Sequence, residues 1–322
     1  QLAVQDLGKA WQNFFNKAQK DWGKPKFKSK RAPKQGFKSD QAKIVGGKVK
    51  LEKPQGLKED WTAIEMSEAP LPYPTGTMSF YRINARYYVA IPYKIPKDRF
   101  KDKNKTGKAT GVDINVGHFN YEDGQLLIIP KSLTKTYRKI KHYQKQLAKK
   151  RTVNGRIKGT QSKKYLKARI KLQASYQRAQ NIQTDLMHKF TTKLVNDYDQ
   201  IVIEDLAVKG MLMSHVASKG MHRSMFGLFR KLLTYKCEWY GKELIIANKL
   251  YPSTQRCATC GLVKKGDEKI TLQGNKKHGT KHSEFVCYNP SCPNYNKIVD
   301  RDENAMANLT LLAKHPELNQ AL

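Results

Sequence analysis

Hydrophobic and polar positions change their period several times along the chain, and each change marks an element. At the start Leu7, Trp11, Phe14 and Phe15 fall on one side of an amphipathic helix already under way at Gln1. No initiator Met precedes it, so a missing N-terminal portion is expected. The following stretch, KPKFKSKRAPKQGFKSD, is basic, rich in turn residues and without apolar period, the pattern of a linker or a nucleic-acid-contacting loop. From Gln41 to Lys94 the period shortens to two. AKIVGGKVKL, TAIEM and TMSFYRINARYYVAIPYK carry β-branched and aromatic residues in alternating runs broken by Gly and Pro, which predicts a small antiparallel β-domain. Lys97 to Lys108 is a hydrophilic connector, and ATGVDINVGHFNYEDGQLLIIP predicts two strands joined at a turn through Asp123 and Gly124.

Helical spacing returns at Tyr137, Ile140, Tyr143 and Leu147, and again at Tyr165, Ala168, Leu172, Tyr176 and Ala179, with RTVNGRIKGT breaking the run into a hairpin of two helices. Beyond it lie a strand, QIVIEDL, a loop-like segment, AVKGMLMSHVASKGMHRSM, and a helix, FGLFRKLLTYKCEWYG, for which Gly241 is the C-terminal stop. KELIIANKLY reads as another strand. A chain of 322 residues with 39% hydrophobic content suffices for two or three domains.

Charge narrows the partners. Lys and Arg number 61 against 27 Asp and Glu, a formal charge of +34. A charge that large repels itself unless it sits against a polyanion, and nucleic acid is the first candidate. No run of about 18 apolar residues and no secretory signal pattern is present, so the chain reads as soluble and intracellular, with no membrane partner. Between Gly124 and Thr184 there are 17 Lys and Arg and no acid. An ordinary solvated helix face alternates sign and gains i,i+4 pairs, so this hairpin reads as a phosphate-backbone surface that positions nucleic acid without reading its sequence.

Five cysteines are too few for a disulfide scaffold, and four form two close pairs. Cys257 with Cys260, in RCATCG, and Cys287 with Cys292, in VCYNPSC, suit two knuckles presenting four thiolates to one tetrahedral zinc. The second gap is wider than the usual two residues. His278 and His282 are substitute ligands should a Cys fail. A full shell of thiolates makes that zinc structural, so hydrolytic chemistry lies elsewhere. The fifth, Cys237, sits in helical sequence as a packed thiol.

Three acids sit at or beside the edges of regular elements: Asp113 inside the strand GVDINV, Glu204 at the end of IVIE, and Asp302 at the start of the helix ENAMANLTLLAKH. Taken singly, a turn Asp, a strand-end cap and a helix N-cap account for them. A carboxylate in an apolar strand nevertheless calls for a partner, and magnesium is the obvious one. Two such ions about 3.5 to 4 Å apart activate water and stabilise the leaving oxygen in phosphodiester cleavage.

GVDINVG, IVIEDLAVKGM, PSTQRCATCG and IVDRDENAMANL occur in the order seen in TnpB proteins, the OrfB-type insertion-sequence transposases with a zinc ribbon that are compact relatives of type V CRISPR nucleases. The chain resembles that family from about Phe27 onward. The resemblance implies the α/β class, with a ribonuclease-H-like (RuvC) nuclease domain, an inserted zinc ribbon and an N-terminal small β-barrel-like wedge domain. By motif, Asp113, Glu204 and Asp302 are then the catalytic and magnesium-binding acids, and Cys257, Cys260, Cys287 and Cys292 the zinc ligands. Asp300 becomes an N-terminal cap or helper, and Glu303 a first-turn acid favoured by the helix dipole.

The expected domains are residues 1–25 as a remnant of a helical recognition lobe, 26–100 as the wedge, 108–250 and 297–322 as the nuclease, and 251–296 as the zinc ribbon. The function implied is that of a transposon-encoded, Mg²⁺-dependent DNA endonuclease, associated with transposition and working in the prokaryotic cytoplasm at the nucleoid. It would take a guide RNA transcribed from the element's end and cut double-stranded target DNA. Specificity would come from base pairing. A homologue that represses by occupying DNA without cutting is the alternative, and it would have no need of the three acids. A strand-transferring transposase ranks lower, since nothing resembles a nucleophilic Tyr with a His pair.

Overall fold

The computed structural model describes the chain except residues 17–22, 28–33, 53–55, 57–62, 72, 85, 97–104, 116, 154–155, 158–161, 206–220, 276 and 320–322. It divides into two compact units, residues 1–96 with 150–174, and residues 97–149 with 175–322.

The first unit opens on α1 (Leu2–Phe15), whose Trp11 packs against Phe14 and Phe15 at 5.7 Å between ring centroids. Two three-stranded antiparallel sheets follow. One has the order β1 (Lys34–Ser39), β5 (Met78–Ile83), β6 (Arg86–Ala90), and the other β2 (Lys43–Val45), β3 (Lys48–Lys50), β4 (Ala63–Glu65). Gly46 and Gly47, both at positive φ, make the tight β2–β3 turn that a two-residue hairpin demands. Val49 from one sheet joins Met78 and Phe80 from the other in a single small core. The linker expected over residues 24–40 is corrected in part. Lys34 to Ser39 has no apolar period yet forms β1, because in-register pairing of Gln35 with Arg82 and Phe37 with Phe80 supplies the ladder that local composition did not announce.

The second unit is built on a five-stranded sheet of order β13 (Glu243–Ala247), β12 (Gln200–Glu204), β7 (Ala109–Ile114), β8 (His118–Tyr121), β9 (Gly124–Leu127). β13, β12 and β7 run parallel, and β8 and β9 complete an antiparallel meander. The GVD segment therefore continues into three strands where two were expected. β7 and β8 are antiparallel neighbours, with Asp113 paired to Asn120 and Ile114 to Phe119. The expected turn at Asp123 is present, with Gly124 at positive φ opening β9.

α2 (Lys131–Arg151) and α3 (Lys163–Asp197) form the basic hairpin, joined through the two-residue strands β10 (Thr152–Val153) and β11 (Arg156–Ile157). α4 (Met221–Tyr240) starts five residues before the expected Phe226, and Gly241 at positive φ ends it. The loop read over residues 207–220 lies outside the described residues. Cys237 is buried in α4, and burial pushes its thiol up to about 12. Beyond β13 come the cysteine-bearing segment, with β14 (Glu284–Val286) paired to β15 (Ile298–Asp300), and then α5 (Arg301–Lys314).

The sheet buries both faces, as parallel strands do. Val112, Ile114, Ile201 and Ile203 point to the side covered by Phe190 and Leu194 of α3 and Phe229 and Leu233 of α4. Val202 and Ala247 point the other way and pack on Leu309, Leu312 and Ala313 of α5. Strand side chains alternate with period two, so Gly111 and Asp113 on β7 and Glu204 on β12 share the α5 side. Among the described residues no helix is long and apolar enough to cross a membrane.

Candidate active site and metal centre

Backbone register brings two of the three acids together. Ile203 pairs with Val112 in the parallel β12–β7 ladder, so Glu204 follows beside Asp113 at the carboxyl ends of adjacent strands. The third arrives on α5, which lies against β7 because Gly111 has no side chain. A Cβ there would stand 2.5 Å from Leu309 Cβ and from the Met306 carbonyl oxygen. Asp300, not Asp302, caps the helix, accepting from the backbone N–H groups of Asp302 and Glu303. Asp302 is thereby released from the N-cap role and turns its carboxylate toward the sheet end.

Electrostatics links Asp113 to both other acids. Asp113 is 4% exposed. Burial first, then the charges of Glu204 and Asp302, raise its carboxyl to about 7, against the opposing effects of a 2.7 Å hydrogen bond from Asn115 and the charge of Arg301. Glu204 is also raised, mainly by burial, although Ser253 Oγ donates to its Oε1 at 2.5 Å. Asp302 accepts from Arg301 Nη2 at 2.9 Å, and its other oxygen lies 3.2 Å from His118 Nε2. Burial and mutual repulsion both disfavour charge here, and a bound cation reverses both effects. The donor set is all oxygen, suited to a hard divalent ion.

The four cysteines make the second centre. Among the described residues they are the one group of three or more Cys, His, Asp or Glu whose ligand atoms all lie within 4.8 Å of one another. Cys257 and Cys292 sulfurs are 3.9 Å apart and Cys260 and Cys287 sulfurs 3.6 Å. Tetrahedral coordination at about 2.3 Å per Zn–S bond requires sulfurs about 3.8 Å apart, so the cluster fits a thiophilic tetrahedral ion such as zinc.

The wider second knuckle still closes, because a turn from Asn289 to Cys292 takes up the extra residues. Burial opposes ionisation of Cys260, but hydrogen bonds led by the Leu262 backbone hold it down to about 6, while burial pushes Cys287 up to about 12. With all four sulfurs in the cluster, a substitute histidine is not called for. His278 stacks on Tyr288, 3.8 Å between ring centroids. The fully buried Lys264 places its ammonium 4.1 Å above the Tyr288 ring and 4.9 Å above that of Phe285, both neighbouring Cys287 in sequence.

Several residues that touch the acids escaped sequence reading. Asn115, His118 and Arg301 flank the motifs and look there like turn and surface residues, and Ser253 carries no local signal. Asn304 and Asn308 did leave a trace: two poor helix formers at i,i+4 within an otherwise apolar turn.

Residues 90–215, which hold Asp113 and Glu204, match the OrfB_IS605 family model, described as "Probable transposase". Residues 226–309, which hold the four cysteines and Asp302, match the model described as "Cas12f1-like, TNB domain". The chain is 28% identical over 272 residues to a "Putative RNA-guided DNA endonuclease" of Streptomyces pristinaespiralis, covering 82% of this chain and 62% of that protein.

It is 27% identical over 284 residues to "Putative RNA-guided DNA endonuclease InsQ" of Escherichia coli K12, covering 81% and 64%. To "TnpB-like protein L79" of Acanthamoeba polyphaga mimivirus it is 26% identical over 258 residues, covering 76% and 44%. Among solved structures, "Cryo-EM structure of the Cas12f1-sgRNA-target DNA complex" matches with TM-score 0.42 and 13% identity, over 86% of this chain and 66% of that one. The chain thus spans less than two thirds of the length of these curated relatives. It carries an OrfB_IS605-type transposase segment followed by a Cas12f1-like TNB segment and is a relative of the TnpB-like proteins.

Proposed function

We propose that the chain acts as an RNA-guided DNA endonuclease, with Asp113, Glu204 and Asp302 as its catalytic acids in a ribonuclease-H-like (RuvC) domain. The observation that carries this reading is the convergence of three acids from distant segments on one end of the sheet, where a buried Asp113 is raised to about 7 by burial and by its two neighbours. Such a site gains from divalent ions, and Mg²⁺ bound there would activate water and stabilise the leaving oxygen of a phosphodiester. Among the described residues, the three carboxylates do not form a group whose ligand atoms all lie within 4.8 Å of one another.

Around them the chain's own residues hold the oxygens in place. Asn115 orients Asp113 and Ser253 orients Glu204, while Arg301 fixes one oxygen of Asp302. Cys257, Cys260, Cys287 and Cys292 would hold a structural zinc, and the acid-free stretch from residue 124 to 184, which takes in α2 and most of α3, would bind phosphates of guide RNA and double-stranded DNA. Base pairing would supply specificity. The named functions of the relatives support this reading, including its link to transposition.

The test is purification of the chain with its bound RNA, sequencing of that RNA, and assay of DNA matching it with Mg²⁺. Asp113→Ala or Glu204→Ala should abolish cutting and leave RNA binding nearly unchanged. Loss of RNA binding in both variants would show the acids to be structural, and absence of an enriched RNA would sink the guided reading.

A further inference from the structure

Between the two centres runs a set of side-chain bonds whose members belong to neither. Asn308, fully buried on α5, donates through Nδ2 to the carbonyls of Ser253 at 2.9 Å and Arg256 at 2.6 Å, and its Oδ1 accepts from Arg256 Nη1 at 2.9 Å. One turn earlier, Asn304 donates to the Arg256 carbonyl at 2.7 Å and accepts from the Ala258 N–H at 3.0 Å. Both amides are thus used at both ends. The segment they grip, residues 253–258, carries Cys257 at one end and at the other Ser253, whose hydroxyl holds Glu204. The helix doing the gripping carries Asp302.

We propose that Asn304 and Asn308 are positioning residues that couple the tetracysteine centre to the acidic site. The clamp fixes the 253–258 turn to α5, so the metal-bound turn sets Glu204 through Ser253 and sets the N-terminal end of α5, with Asp302, relative to it. A second tether, the β14–β15 pairing and the Arg301 N–H to the Ser283 carbonyl at 2.9 Å, reaches α5 but not Ser253. The clamp grips the Ser253 carbonyl directly, and Ser253 holds Glu204. Buried amides with every polar atom matched specify one arrangement, because any alternative leaves a polar group unpaired. The inference rests on the acidic-site reading above for its consequence, and on the clamp geometry for its mechanism.

The experiment uses the full chain loaded with zinc, with Mn²⁺ as the probe of the carboxylates. Asn308→Ala and Ser253→Ala should each weaken Mn²⁺ binding about tenfold, the size expected when a ligand loses its orienting partner, with zinc content unchanged. Ser253→Thr, which keeps the hydroxyl, should restore it. Chelation of zinc from the wild-type chain should raise amide hydrogen exchange in residues 251–256 as well as around the cysteines, and Asn308→Ala should raise it in 251–256 with zinc still bound.

Unchanged Mn²⁺ affinity in Ser253→Ala overturns the proposal even if Asn308→Ala does not fold. So does an exchange response to zinc removal confined to residues 257–292. Wild-type Mn²⁺ binding that Asp113→Asn does not alter would instead remove the acidic-site reading, leaving the exchange pattern to decide the clamp.

Discussion

The backbone N–H of Gly111 donates to Thr310 Oγ1 at 2.7 Å, across a contact where no side chain separates β7 from α5. This bond joins the strand of Asp113 to the helix of Asp302 two residues from the first acid. It explains why a glycine stands in the strand despite its conformational cost: only a missing Cβ allows the approach.

Gly111→Ala should therefore be destabilising by about 1 to 3 kcal/mol through overpacking, since the clash is with Leu309 and with the helix backbone. Because the relief is a shift of α5, DNA cutting should fall by more than the loss of folded protein explains. Urea denaturation set beside the cutting rate at full folding checks this. Wild-type activity in a folded alanine variant would refute it.

The pH dependence of stability follows from Asp113. Its carboxyl is raised from 3.8 to about 7, so charging it costs the folded, magnesium-free chain about 4 kcal/mol. The sign is that of a raised acid: stability is highest when the group is protonated and falls as pH climbs from about 4 through 7. Asp113→Asn should then stabilise the chain without added magnesium at pH 8 and have little effect at pH 4, in urea melts at the two pH values. Mg²⁺ affinity of the wild type should rise over the same interval, because binding displaces a proton.

Thiol chemistry should separate the five cysteines into two classes. With one zinc bound per chain, four thiols resist a thiol reagent until a chelator is added, and Cys237 resists until the chain unfolds. Lys264→Met removes the buried ammonium above Tyr288 and Phe285, which offsets the negative charge of a metal bound by four thiolates. Chelator-driven zinc release should quicken about tenfold, while the metal-free chain should be no less stable, having lost a buried charge. Equal release rates would show that Lys264 serves packing alone.

Lys135, Lys139 and Arg178 line a cleft with Ser132 and Thr136 between α2 and α3. Changing all three cations to Gln should weaken nucleic-acid binding regardless of sequence. The slope of log affinity against log salt on duplex DNA should shrink by about 0.9 for each phosphate that the variant no longer neutralises. A salt titration by fluorescence anisotropy measures it, and an unchanged slope would place the phosphates elsewhere.

Much of this protein is written locally. Apolar period marked α2, α3, β12 and β13, the paired cysteine spacings marked one metal centre, and the acid-free charge of residues 124–184 marked a polyanion surface. Each of these properties depends on neighbours within a turn or a strand. Other features depend on what lies across the fold.

β1 has no apolar period and exists because β5 offers it a ladder. Residues 109–127 make three strands because Phe119 finds Phe190, Phe226 and Phe229 to pack against. Within IVDRDENAMANL, the order of residues made Asp300, Asp302 and Glu303 all eligible for the helix start, and resemblance singled out Asp302. The cap itself is local, Asp300 accepting from the N–H groups of Asp302 and Glu303, but the packing of α5 on Gly111 brings Asp302 within electrostatic reach of Asp113. Sequence determined which residues were available. Tertiary structure decided which of them meet, because the distances that govern charge and coordination are set by elements nearly 200 residues apart.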